Sequence, residues 1–178
     1  MNTDMEEALL VRLGRGDERA LDELYALLSG KVFTLACHML QSREEAEEVL
    51  QDTFLKLHRH AGGYRPEGDS ARAFVYAIAR NDCLSRLRAR RSRPVAGEWD
   101  VHDPATPLSA PHTDALHTAT VRQALGQLAP PDRELLEGSF FHGYSHPELA
   151  ERSGLPLGTV KSRLRRALLS LRDYLGDP

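Results

Sequence analysis

The sequence predicts an all-α protein of two small helical domains joined by a flexible linker. Apolar residues recur at helical spacing toward both ends of the chain, and no stretch shows the period-two alternation of a half-buried strand. A proline-rich, acidic segment separates the two periodic blocks. With 178 residues, 41% hydrophobic and 28% charged, the chain has apolar surface for two small cores and too much of it for disorder throughout.

The first block, residues 4–91, begins with Leu9, Leu10 and Leu13 and continues through Leu21, Leu24, Leu28, Val32, Leu35 and Met39. Ser42 followed by Glu45 is a capping-box pattern, in which each side chain satisfies the other's backbone N–H. It opens a helix carrying Ala46, Val49, Leu50, Phe54 and Leu57, which Gly62 and Gly63 end. After the loop 64–69, Ser70 starts a helix through Phe74, Ile78 and Leu84 to about Arg91. From Ser92 to Pro111 the periodicity disappears: Pro94, Pro104, Pro107 and Pro111 occur with Glu98, Asp100, Asp103 and the lone Trp99, the composition of an extended linker. The expected domains are 1–92 and 115–178, with 93–114 as linker.

The second domain is punctuated by Pro130-Pro131, Gly143 and Gly154. Ser145 and Glu148 form a second capping box, opening a short helix from Pro147 to Arg152. Ala150, Gly154 and Val160 have the spacing of a helix-turn-helix: a small residue for close approach, a glycine for the positive φ of the turn, and an apolar plug. In the second helix Val160, Leu164, Ala167, Leu168 and Leu171 form the expected buried stripe. Ser162, Arg163 and Arg166 are expected on the opposite face, with Thr159 nearby and Lys161 and Arg165 at the flanks. Arginine bonds guanine O6 and N7 together in the major groove, while lysine and serine hold phosphates, so these six residues are the candidate DNA readers.

The formal net charge of −3 conceals a strong asymmetry. From Met1 to Leu55 five basic residues stand against twelve acidic ones; from Lys56 to Arg93 ten basic residues stand against three acidic ones. Gly158 to Arg172 carries Lys161, Arg163, Arg165, Arg166 and Arg172 and no acid. That map suits a protein touching DNA and a basic protein partner together.

Other functions lack their residues. Cys37 and Cys83 make no disulfide framework, and with His38, His58 and His60 they complete no metal site, so no cofactor or metal is expected. Cys37 lies among Leu35, Ala36 and Leu40 as a buried structural thiol. No phosphate loop, nucleophile elbow or paired-carboxylate site is present, which excludes an enzyme; Glu44, Glu45, Glu47 and Glu48 are a helical charge run. The acidic N-terminus lacks the pattern of a signal peptide, and no apolar run approaches the roughly 20 residues of a membrane span, so a cytoplasmic location and no membrane partner are expected.

Leu155-Pro-Leu-Gly-Thr-Val-Lys-Ser-Arg-Leu-Arg-Arg-Ala167, preceded by Tyr144-Ser-His-Pro-Glu-Leu-Ala150, resembles the final region of extracytoplasmic-function (ECF) sigma factors, the small branch of the sigma-70 family. Ala46-Glu-Glu-Val-Leu-Gln-Asp-Thr-Phe54 resembles that family's polymerase-docking helix, and Ile78-Ala-Arg-Asn81 its promoter-melting helix. The resemblance covers nearly the whole chain apart from the linker. It implies a sigma-2-like bundle and a sigma-4-like helix-turn-helix domain, core RNA polymerase and promoter DNA as partners, and control by an anti-sigma factor. By the same resemblance Glu48, Leu50, Gln51 and Asp52 face the polymerase. Arg65, Arg80, Arg86 and Arg88 follow phosphates of the −10 strand, and Asn81 offers its amide to an opened base. Thr159, Lys161, Ser162, Arg163, Arg165 and Arg166 read the −35 duplex. Ala71 and Phe74 stand where the family usually has an aromatic and then a tryptophan, and Ala77 replaces a common basic residue, leaving the preferred −10 bases open. The alternative is a stand-alone helix-turn-helix regulator binding operators as a homodimer; it has no need of Leu50-Gln51-Asp52.

Overall fold

Helices form where apolar residues repeat every three or four positions, and caps or glycines set their ends. The computed structural model describes residues 2–66, 70–92 and 122–175, and among these there is no strand. The N-terminal unit consists of α1 (Asn2–Gly14), α2 (Arg19–Leu40), α3 (Arg43–His60) and α4 (Ala71–Ser92), with a 3-10 turn over Ala61–Gly63. The remaining helices are α5 (122–127), α6 (Pro130–Phe140), α7 (His146–Ser153) and α8 (Leu157–Leu175). The chain separates into two units, Met1–Thr113 and Asp114–Pro178; the expected linker 93–114 lies outside the described residues.

In the first unit α2 packs on α3 and α4, α3 packs on α4, and α1 lies against α2 and α4. Leu10, Leu24, Leu28, Val32, Val49, Leu57 and Val75 are removed from water completely or nearly so, each contributing roughly 1.5–3 kcal/mol of hydrophobic stabilisation. Gln41 ends α2 in the left-handed region, φ 51°, its N–H donating to the Cys37 carbonyl and its side-chain amide to the His38 carbonyl at 2.7 Å. Ser42 then caps α3 by accepting from the Glu45 N–H at 3.3 Å. Only this half of the expected box is recorded: the Glu45 carboxylate instead meets Arg90 of α4. Ser70 caps α4, accepting from the Ala73 N–H at 3.2 Å.

Two features bind α1 to the rest. Glu6 is 1% exposed and accepts from Arg72 of α4 through both oxygens, at 2.6 and 3.1 Å. At the other end Gly14 passes so close to the 3-10 turn that a Cβ there would lie 2.8 Å from the Ala61 carbonyl oxygen. Both cysteines are buried, and burial pushes the Cys83 thiol up to about 12, with Asp82 adding to the rise. Its thiolate is suppressed, as befits an inert packing residue.

The second unit has its own core, Leu128, Leu135, Leu136, Leu149, Val160, Leu164 and Ala167, with Leu125, Tyr144, Ala150, Leu155 and Leu171 packed around it. Gly138 of α6 lets α7 approach: a Cβ there would lie 2.8 Å from a Leu149 methyl.

Candidate nucleic-acid interface

The α7–turn–α8 geometry follows from its caps. Glu148 N–H donates to Ser145 Oγ at 3.4 Å and Ser145 N–H to Glu148 Oε2 at 2.7 Å, completing the capping box. Gly154 ends α7 at φ 68°, a conformation that costs a side-chain-bearing residue energy. The Arg152 guanidinium lies 4.4 Å from the Tyr144 ring centroid, tying the end of α7 to the loop before it.

Val160, Leu164 and Ala167 carry α8 into the core, and Leu171 is half-buried. Two sequence expectations change here. Leu168, assigned to the buried stripe, is 55% exposed. It lies about 80° around the helix from Val160, whereas Leu164 and Ala167 lie within about 40°, so it falls off the narrow contact line. Arg163, assigned to the outward face, is half-buried and donates to Asp132 of α6 at 3.4 Å. It sits about 60° from Val160, on the side that α6 covers. Lys161, Ser162, Arg165 and Arg166 are exposed, and Arg165 takes the outward place expected for Arg163. Thr159 is half-buried and its carbonyl accepts from the Ser162 hydroxyl at 3.0 Å. No acidic residue occupies the first turn of α8, so its positive end is left uncompensated by its own residues.

In the first unit, α4 presents Asn81 and Arg88 to solvent, seven residues apart and so on one face. Arg80 is half-buried; burial, and then the charge of Arg88, lowers its pKa below the usual guanidinium value. Arg65 is exposed and donates to the Gly62 and Tyr64 carbonyls at 3.1 and 3.0 Å. Arg86 departs from the expected track. It lies about 140° around α4 from Asn81 and binds α3 instead, meeting Glu48 at 2.5 Å and Asp52 at 3.0 Å.

Those contacts divide the expected docking set. Glu48 and Asp52 face α4. Leu50 and Gln51 line an open groove of about 410 Å³ between α2 and α3, with Leu21, Tyr25, Glu47, Phe54 and Leu55. Tyr25 and Leu55 are about half exposed, and Tyr25 rests edge-on against Phe54 with ring centroids 4.8 Å apart.

Residues 24–93 match Sigma-70 region 2, and residues 118–171 match Sigma-70, region 4. The chain is 32% identical over 180 residues to the RNA polymerase sigma-H factor of Pseudomonas aeruginosa, covering 94% of this chain and 92% of that one. The chain belongs to the sigma-70 family. It is similarly related to the ECF RNA polymerase sigma factor SigM of Mycobacterium tuberculosis, 33% identical over 162 residues, 90% of this chain and 80% of SigM. Rhodobacter sphaeroides SigE, solved in complex with the anti-sigma ChrR, is 30% identical with a TM-score of 0.48, covering 90% of this chain and 94% of that one. The sequence relatives, SigM among them, place this sigma factor in the ECF branch, a family of transcription factors rather than catalysts. No helix among the described residues is long and apolar enough to cross a membrane.

Sequence reasoning missed Leu21, Tyr25 and Leu55 as groove residues of this sigma factor, and Asp132 as the partner of Arg163. Leu55 carried a readable signal: it follows Phe54 immediately and falls off the Ala46–Val49–Leu57 line, so it has no slot in the core. Asp132 gave none, because it meets Arg163 only through the packing of α6 on α8.

Proposed function

We propose that this sigma factor binds core RNA polymerase through the α2–α3 groove and directs it to promoters, opening the −10 element with the Asn81–Arg88 face of α4 and reading the −35 duplex with α8. The domains are 1–92 for docking and melting, 93–114 as linker and 115–178 for −35 recognition. Leu50 and Gln51, with Tyr25 and Leu55, make the docking contact, while Glu48 and Asp52 act through Arg86. Arg65 and Arg80 follow the opened strand near Asn81. On α8, Lys161, Ser162, Arg165 and Arg166 face the groove, Thr159 borders them, and Arg163 orients the helix through Asp132. The cytoplasm is the site of action, and an anti-sigma factor is the regulatory partner that the family resemblance implies.

The observation that carries this reading is the coexistence, in one sigma-70 chain, of a basic helix-turn-helix face and a separate apolar groove in the other unit. A DNA reader alone requires only the first. Leu55→Arg, which places a charge in the groove without touching the core, tests it. The variant should compete poorly for core polymerase while melting like the wild type, because a charge buried at an interface without a partner costs several-fold to many-fold in affinity. Equal competition would remove the groove from the docking site. The second reading, a homodimeric regulator, draws on exposed Leu168 and Leu175 of α8; sedimentation of the free chain as a monomer removes it.

A further inference from the structure

The side of α3 turned toward α4 carries a ladder of charged pairs. Lys56 meets Asp82, Glu48 and Asp52 share Arg86, and Glu45 meets Arg90, whose other nitrogen donates to the Leu40 carbonyl at 3.0 Å. Moving four residues along α4 moves the partner about one turn back along α3, the register of two antiparallel helices. The rungs are not equivalent. Asp82 is largely buried and its second oxygen has no hydrogen-bond partner among the described residues, so Lys56 is the contact that offsets its burial. Glu48 and Asp52 are about half exposed and reach water directly; for them Arg86 supplies orientation rather than solvation.

We propose that Arg86 is a positioning residue for promoter opening: by gripping two successive turns of the docking helix it fixes the register of α4, so that polymerase bound to α3 presents Asn81 and Arg88 to the opened strand. A guanidinium suits this role, since its planar fork fixes the directions of two donors at once, whereas an ammonium is a point charge on a flexible stem. The inference rests on α3 being the docking helix and the Asn81 face being the DNA face.

The full chain, core polymerase and a duplex promoter test it. Arg86→Met should compete for core within about twofold of wild type and melt close to it, yet yield about tenfold fewer permanganate-reactive open complexes, the loss a charge-assisted bond carries. Arg86→Lys should recover only part. The charge swap of Asp52→Arg with Arg86→Glu again sets one arginine between two carboxylates, and it should recover opening. A carboxylate at position 86 would repel a phosphate, so recovery separates positioning from DNA contact. By contrast, Lys56→Met should lower the melting temperature by about 4–8 °C, the mark of a structural rung half open to solvent. Normal opening by Arg86→Met, loss of its fold or core binding, or a swap that does not recover opening would each overturn the proposal. A wild type that fails to bind core would instead remove the docking assignment beneath it.

Discussion

Two arginine-rich helices, α4 and α8, look alike in sequence and are put to different use. In α4, Arg72, Arg86 and Arg90 are each committed to carboxylates of α1 or α3, and the pairs knit the bundle together. In α8 only Arg163 reaches across to another helix, while Lys161, Arg165 and Arg166 carry no ion pair among the described residues. The difference lies in the neighbours. The first unit's acidic helices supply carboxylates at matching register, whereas in the second unit Asp132 of the short α6 is the carboxylate that meets Arg163 of α8. A count of basic residues therefore measures DNA affinity poorly until their partners are known.

Removing a committed arginine should have the largest effect. Arg72→Met leaves the buried Glu6 side chain without this partner, and should destabilise the first unit by about 3–5 kcal/mol in urea unfolding. A loss below about 1 kcal/mol would mean that the pair is ornamental. On α8, Leu164→Ala should cost roughly 2–5 kcal/mol through a core cavity, with DNA binding falling only as the fold falls. Leu168→Ala, at an exposed position, should change stability by less than about 0.5 kcal/mol. Equal effects at the two leucines would restore Leu168 to the buried stripe.

Smaller effects are expected at the uncommitted cations. Arg166→Ala should weaken −35 binding by about 1–3 kcal/mol and relax preference at one or two base pairs, as read by promoter-variant binding. A uniform, salt-dependent loss would make Arg166 a phosphate clamp. Lys161→Ala should lower affinity for all sequences alike and reduce the salt slope by about one unit.

The helices, their caps and the helix-turn-helix were legible because each rests on local chemistry: Ser145 with Glu148, Gly154 at the turn, apolar residues on one stripe. What could not be read was which long side chains meet between helices far apart in sequence. Arg86 and Asp52 are separated by 34 positions and Arg72 and Glu6 by 66, and nothing local links them. At Ser42 the N-cap formed as read, but the Glu45 half of the box did not, since Glu45 had a distant arginine to bind. Leu168 was misplaced for a different reason. A regular 3.6-residue stripe says which face is apolar, not how wide a line of that face a partner covers. The docking motif was located in sequence, but its division into a groove side and a ladder side needed α2 and α4 in place.

Run-off transcription with core polymerase separates a promoter-directing subunit from a free DNA reader. Core with this chain should give discrete transcripts from promoters carrying both elements, and lose them when either Leu55→Arg or Arg166→Ala is introduced, while the free chain binds the same duplexes weakly. Tight, sequence-specific duplex binding by the free chain, with no transcripts when core is added, would contradict the account.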